Sequence, residues 1–478
     1  MTTILNVLSV LGGLAMFLYG MALMSEGLQK SAGDRLRAFM AKMTSNAFKR
    51  VFTGTLVTCL VQSSSATTIM VVSFVNAGLL TLGNAIGVIM GANIGTTLTA
   101  WITSLGFSVN IALFAVPMMA FGYLMHCSKK ASLKNIGQFL MGFAVMYVGL
   151  TFMKDCSNAI LGDYQTGMMN FFGSINGFGF GSVILFLIAG AVLTIVLQAS
   201  SATMAITMLL AASGLIDFKL AVAMVLGENI GTTITANIAA SVGNTSAKRA
   251  ALAHTVFNLF GVIWALALFP FFLKFIGFIT EAIFSIPDPA ADGFAVVVEK
   301  TADGTPVQTD SQTSALYGLS MLHILFNTIN TLILIWFVPA IERLVCFVIK
   351  GSKNQDDNVF RLKYIEAGPL ATPELATEQA IKEIIHFAKI SRNGLGYARA
   401  AINETETDKF EELRSKLVKY EEISDRIEYE IATFLNAVSE GEISESTSYK
   451  IKAMYKIIGE LESLGDSGES ISRILSRR

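Results

Sequence analysis

Apolar residues run along this chain in long blocks, near 4–24, 52–77, 79–104, 108–126, 136–153, 181–213, 217–241, 250–284 and 315–349. Blocks of that length and apolarity predict helices lying in a bilayer. Two of them carry a polar knot near the middle, QSSSATT at 62–68 and QASSATM at 198–204. A straight membrane helix gains nothing from Gln and Ser at its centre. A re-entrant helical hairpin does, because its broken tip exposes backbone groups that a bilayer tolerates only around a cavity. After about residue 350 the pattern turns amphipathic. Segments 374–401, 404–439 and 446–477 read as three helices. Ile381, Ile384, Ile385 and Ala388 form one apolar stripe, and Leu413, Leu417, Ile423 and Ile427 another. Thr372 reads as the cap of the first, with Pro373 in its first turn. The expected fold class is all-α: a polytopic membrane domain over 1–350, a linker over 351–373 and a helical domain over 374–478.

Charge sharpens that division. Residues 1–350 hold 30 Asp, Glu, Lys and Arg, whereas residues 351–478 hold 41. Residues 51–128 and 164–216 hold none. The net charge of -1 hides this contrast and selects no partner. Lys30, Arg35, Arg37, Lys42, Lys49 and Arg50 form one basic loop, Lys129, Lys130 and Lys134 a second, and Lys248 with Arg249 a third. Basic loops stay in the cytoplasm. The acidic loop 287–314 is placed outside. Counting crossings then puts the N-terminus outside the cytoplasmic membrane and the tail in the cytoplasm. The hairpin at 52–77 enters from the cytoplasm and the one at 181–213 from outside. The start of the chain lacks a basic region before its apolar run and reads as a retained first helix. The four cysteines, Cys59, Cys127, Cys156 and Cys346, have no metal-type spacing and read as small buried apolar residues.

The two knots lie 136 residues apart, and the same offset relates GANIGTT (91–97) to GENIGTT (227–233). Upstream, GLAMFLYGMALM (13–24) matches GFAVMYVGLTFM (142–153), which aligns Gly13 with Gly142 and Gly20 with Gly149. With the topology above this is an inverted repeat, about 4–126 and 136–284 followed by an extra helix at 315–349. Such a repeat lets two halves exchange roles on opposite membrane faces.

Two hairpin tips meeting at one point would suit an anion. Each supplies free N–H groups and the positive end of a helix dipole. Ser63, Ser64, Ser65, Ser200 and Ser201 add hydroxyl donors. Phosphate, with several acceptor oxygens, fits a site rich in neutral donors. Sodium ions could compensate its charge and leave with it, held by oxygens of Gln62, Thr67, Gln198 and Thr203 and by unwound carbonyls. Small residues also permit close helix packing, and one such run alone would read that way. Two inverted copies followed by NIGTT favour a site. Asn93 and Asn229, each between glycines, fit a helix break lining the same cavity, with packing as the alternative. Glu228 is the only ionisable residue between Lys219 and Lys248. It could ligate sodium, take up a proton or sit at an aqueous end, and a coupling role is a candidate. His254 with Asn258, and His323 with Asn327, share helical faces and read as interhelical hydrogen-bond groups ahead of transport groups.

These paired motifs resemble the type II sodium–phosphate cotransporter family in its bacterial form, over roughly residues 4–349. The resemblance implies sodium-coupled movement of inorganic phosphate, with substrate and cations at the two hairpins, and homodimers. Ala199 stands where that family's second motif has a serine. In the tail, LESLGDSGESI (461–471) resembles the signature helix of PhoU, a regulator of phosphate uptake. That likeness implies a three-helix PhoU-like unit acting on transport or on a cytoplasmic partner. It also makes Glu421 with Asp425, and Glu462 with Asp466, candidate metal ligands, the alternative being a solvated helix face. No nucleophile–base set, phosphate loop or zinc spacing is present, so an enzyme is not expected, nor are an organic cofactor or a nucleic-acid partner. The rival expectations are a transporter of another oxyanion, an exporter, and a membrane phosphate sensor.

Overall fold

The computed structural model describes residues 2–42, 46–76, 80–108, 112–176, 178–300, 306–350, 362, 365, 373–439, 443 and 445–476. The linker lies almost wholly outside the described residues, as does Thr372. The chain divides into two compact units. The first comprises Met1–Val72, Thr81–Ala240 and Lys248–Val348. The second comprises Ser73–Leu80, Ser241–Ala247 and Ile349–Arg478.

In chain order, the helices of the first half are α1 (Thr2–Lys42), α2 (Ala47–Val61), α3 (Ser64–Asn76), α4 (Leu82–Gly95), α5 (Thr97–Ser108) and α6 (Ala112–His126). Next come α7 (Ala131–Asn176), α8 (Phe180–Leu197), α9 (Ser200–Ala212), α10 (Phe218–Gly231), α11 (Thr233–Ser241), α12 (Thr245–Ala267) and α13 (Phe269–Phe284). Helices α14 (Asp310–Leu334) and α15 (Val338–Val348) close the apolar part. The only described strands are a two-residue pairing of Glu299 with Val307 and Lys300 with Pro306. Six stretches among the described residues are long and apolar enough to cross a membrane: Leu5–Ser31, Leu82–Ser108, Ala131–Ile160, Phe180–Leu197, Thr245–Ala267 and Asp310–Val348. Large apolar side chains such as Leu113, Phe114, Val116, Phe121 and Leu124 stand exposed along α6. A row of this kind has lipid, not water, as its solvent. The protein is an all-α multi-pass membrane protein.

Several expected blocks are divided. The block 250–284 is broken at Leu268, whereas 79–104 and 217–241 divide at Thr96 and Thr232 with the backbone still right-handed helical there. The first helix runs on past residue 24 to Lys42, and Lys30 pairs with Glu26 one turn earlier at 2.7 Å. None of the four cysteines, all free, is fully buried, and Cys127 is exposed, contrary to the sequence reading.

Glycines set the packing of both halves. A methyl group at Gly91 would lie 1.9 Å from the Val51 carbonyl oxygen, and one at Gly54 would lie 1.9 Å from that of Val88. One at Gly95 would lie 2.6 Å from Thr58. Partners thus advance together along α2 and α4, so these helices run parallel in near backbone contact. Helix α3 must therefore carry the chain back between them. The second half repeats this residue for residue. Gly227 faces Leu187 at 1.8 Å, Gly190 faces Met224 at 2.1 Å and Gly231 faces Thr194 at 2.7 Å. Hence α8 and α10 are parallel and α9 reverses the chain.

Helices α1 and α7, the matched pair of the repeat, run antiparallel. A methyl group at Gly13 or at Gly149 would lie 2.9 or 2.6 Å from the other's carbonyl oxygen, and one at Gly20 or Gly142 would lie 2.7 Å from the other's. Exchanging the halves sends Gly13 to Gly142 and Gly149 to Gly20, so one contact maps onto the other.

In the tail, α16 (Pro373–Asn403), α17 (Thr407–Ser439) and α18 (Glu445–Leu475) pack around their own core. Ala376, Ala380, Ile384 and Phe387 supply the α16 face, while Ile385 and Ala388 of the expected stripe point outward. The stripe is rotated because Phe387 fills more of the core than either. Leu417 and Ile427 are buried on α17 as expected, with Leu413 and Ile423 at their margin.

Candidate functional site

Both polar knots are helix breaks, and both turn at the glutamine. Gln62 has φ 54 and ψ 23, and Gln198 has φ 52 and ψ 23. This left-handed conformation costs a non-glycine residue about 1–3 kcal/mol and needs surrounding structure to hold it. The backbone N–H of each glutamine donates back to Thr58 or Thr194, which closes α2 and α8. At Gln62 the side chain also helps: its Oε1 accepts from Thr99 Oγ1 at 3.1 Å, and its Nε2 donates to the Cys59 carbonyl. Gln62 is buried and Gln198 is exposed.

The helices that follow start differently. Ser63 Oγ accepts from the Ala66 amide at 3.1 Å and caps α3. Its counterpart, Ala199, makes no side-chain cap for α9. The serine missing from the second motif is therefore the capping one, and the first amides of α9 keep their hydrogen-bonding capacity for something else.

The two tips line one chamber of about 390 Å³. From the first come Gln62, Ser63 and Ser65, and from the second Gln198, Ala199, Ser200 and Ser201. Glu228 and His323 line it as well, and so do Thr96 and Thr99 at the junction of α4 and α5. Thr235, the counterpart of Thr99, donates to Ser65 Oγ at 3.2 Å and so ties α11 to the first tip. Ser25, Glu26 and Gln29 of α1 complete one wall. Their bonds fix that wall: Ser25 Oγ donates to the Val61 carbonyl, Gln29 to Ser25 at 2.8 Å, and Gln138 of α7 to Glu26 at 2.7 Å. Sequence reasoning missed these three, because they lie just past the end of the first apolar block. It also missed the two threonines, although Thr96 sits in the very motif that was noticed.

Five expected site residues do not line the chamber. Ser64 is buried in the first turn of α3. Thr67 Oγ1 donates to the Ser63 carbonyl at 3.0 Å, and Thr203 Oγ1 accepts from Thr194 at 2.9 Å, so both hold the breaks together. Asn93 and Asn229 lie inside α4 and α10, and the backbone stays helical through the junctions at Thr96 and Thr232 that follow them. Their Nδ2 groups donate back to the Ile89 and Val225 carbonyls, at 3.0 and 2.9 Å. Asn93 Oδ1 also meets His254 Nε2 at 3.5 Å, an interhelical contact of the expected kind. Asn258 and Asn327 bond to the carbonyls of His254 and His323 on their own helices, at 3.1 and 2.9 Å. His323 enters the chamber wall and His254 does not.

The sequence pattern of the Na+/Pi-cotransporter family matches residues 16–155 and 175–284, which include both breaks and both NIGTT elements. The chain belongs to the Na+/Pi-cotransporter family. Within the reach of this family, "Putative inorganic phosphate export protein YjbB" of Escherichia coli K12 is 26% identical over 385 residues, 80% of this chain and 63% of that one. This cotransporter-family chain thus spans under two thirds of the length of that relative. "Uncharacterized protein YqeW" of Bacillus subtilis is 30% identical over 274 residues, 57% of this chain and 84% of that one. "Sodium-dependent phosphate transport protein 2A" of the rat is 41% identical over 108 residues, 22% of this chain and 17% of that one. No solved structure matches.

In the tail, carboxylate oxygens of Glu421, Asp425 and Asp466 lie within 4.8 Å of one another. The structure thus joins one acidic pair to a member of the other across α17 and α18. Burial, then the Asp425 and Asp466 charges, push the Glu421 carboxyl above the usual carboxylate range. Glu462, outside that trio, is raised by burial and then by Asp466 and Asp425.

Proposed function

We propose that this protein moves inorganic phosphate across the cytoplasmic membrane by sodium-coupled secondary transport. The observation that carries this reading is the convergence of both broken tips, with their serines and the uncapped start of α9, on one chamber. Ser63, Ser65, Ser200 and Ser201 are the substrate donors in this reading. Gln62 and Gln198 offer oxygens to sodium, with Thr67 and Thr203 holding the breaks. The self-mapping contact of antiparallel α1 and α7 supports an inverted repeat and alternating access. The N-terminus is outside and the tail in the cytoplasm, by the positive-inside argument. The PhoU-like tail regulates transport or binds a cytoplasmic partner, and its acidic cluster takes a divalent cation. The protein works as a homodimer.

The name of the Escherichia coli relative favours a second reading of direction, export. Both readings share substrate and site, and differ in the gradients under which flux runs.

The deciding experiment is labelled-phosphate flux in proteoliposomes under a sodium gradient against a potassium control. Sodium-dependent flux is expected in the wild type and its abolition in Ser65→Ala/Ser201→Ala, which removes one lining hydroxyl from each tip. Competition by sulfate or arsenate tests the substrate. Phosphate binding without flux under any gradient would replace transport with sensing.

A further inference from the structure

The chamber is symmetric in its tips and asymmetric in its charge. Glu228, on α10, lines it and is 1% exposed. Its Oε2 is buried and has no hydrogen-bond partner. An unpaired buried carboxylate oxygen is costly, and costlier still beside a bound anion. Among the described residues, the chamber wall contains no lysine or arginine. Its other carboxylate, Glu26, is engaged by Lys30 and Gln138, each at 2.7 Å. Nothing comparable serves Glu228. The matching position of the first half is Ala92, fully buried and unable to hold charge. One half of the site thus carries an anionic oxygen that the other lacks.

From this we propose that Glu228 is the anionic ligand of a sodium ion bound in the second half of the chamber, at a place where the first half has no equivalent site. The inference rests on the sodium–phosphate reading above. The surroundings suit a hard cation. Gln198, Ser200 and Ser201 bring uncharged oxygens to the same space. The left-handed break at Gln198 ends α8 there and leaves its last carbonyls short of helical partners. Half-helix carboxyl ends and unwound carbonyls are the usual sodium ligands of discontinuous membrane helices. The bound ion would neutralise Glu228 and let an anion occupy the adjoining amides of α9. Phosphate entry would then depend on prior sodium binding in this half.

The test is equilibrium binding of labelled sodium to the purified full-length protein, without phosphate, alongside phosphate flux in proteoliposomes. The proteins are wild type, Glu228→Gln, Glu228→Ala and Glu228→Asp. Expected is one bound sodium fewer per chain in the Gln and Ala variants. Glu228→Asp should keep the full number at weaker affinity, which separates loss of a ligand from loss of the fold. Equal sodium binding by all four proteins, or none by the wild type, overturns the proposal. So does loss of binding in the Asp variant to the same degree as in Ala. If sodium binding depends on Glu228 while the wild type moves no phosphate, the sodium site stands and the phosphate reading falls. If phosphate moves and sodium binding ignores Glu228, the reverse holds.

Discussion

At the scale of single residues, the two halves differ most where their motifs differ by one hydroxyl. Ser63 caps α3, and Ala199 leaves the start of α9 uncapped. Restoring the hydroxyl with Ala199→Ser should stabilise the protein by about 1 kcal/mol, the usual worth of such a cap. It should also weaken phosphate binding, because the hydroxyl would compete for the amides that an anion needs. Thermal unfolding with and without phosphate reads both effects. A raised Tm with an unchanged phosphate shift would show that those amides take no part in binding. The motif was legible from its Gln–Ser run, but its hinge was not. A glutamine carries no turn signature, and its left-handed conformation here depends on tertiary surroundings that no local pattern marks. Asn93 and Asn229 were misread for a related reason. An asparagine between glycines looks like a break, yet α4 and α10 run through it, with its amide bonded back to the carbonyl four residues earlier.

At the scale of elements, parallel α2 and α4 approach so closely that a glycine methyl has nowhere to go. Gly91→Ala would put a methyl 1.9 Å from the Val51 carbonyl oxygen, and Gly20→Ala 2.3 Å from the Met146 amide. Each is expected to cost about 1–3 kcal/mol or more, as overpacking does. Gly12→Ala, which meets nothing within 4 Å, should leave Tm unchanged or raise it slightly. A loss at Gly12 equal to that at Gly20 would mean that close backbone contact is not what sets the cost at Gly20, since alanine is the better helix former at both. Periodicity identified nearly every one of these helices, because apolar blocks and glycine spacing are local properties. It placed helix ends badly. Helix α1 runs through a basic stretch held by Glu26 and Lys30, which no hydropathy pattern marks, and its chamber wall of Ser25, Glu26 and Gln29 was lost with the end.

At the scale of the molecule, the tail and the apolar part answer to different variables. Glu421 and Glu462 have folded-state pKa values raised above their ordinary range. The folded tail therefore binds protons more tightly than the unfolded chain, and its stability falls as pH rises through that window. Hydrogen exchange of α17 and α18 in the full-length protein should show slower opening at mildly acidic pH than at neutral pH. Glu421→Gln, or an added divalent cation, should reproduce the slowing at neutral pH. Faster opening at the lower pH would contradict the repulsion argument. Transport by a chain lacking residues 360–478 is expected to lose its regulation, and unchanged flux would count against a controlling tail. The division into an apolar part and a charged tail was plain in the sequence, since charge density changes so sharply near residue 350. Of the chamber, the meeting of the two tips was legible from the repeated motif, while its walls from α1 and α14 were not, because residues such as Ser25 and His323 lie about 300 positions apart. The glycine contacts of α1 with α7 have one more consequence. Because each contact becomes the other when the halves trade places, a single half-length polypeptide already contains both complementary surfaces. Two copies of one half in opposite orientations would present these same reciprocal glycine faces to each other.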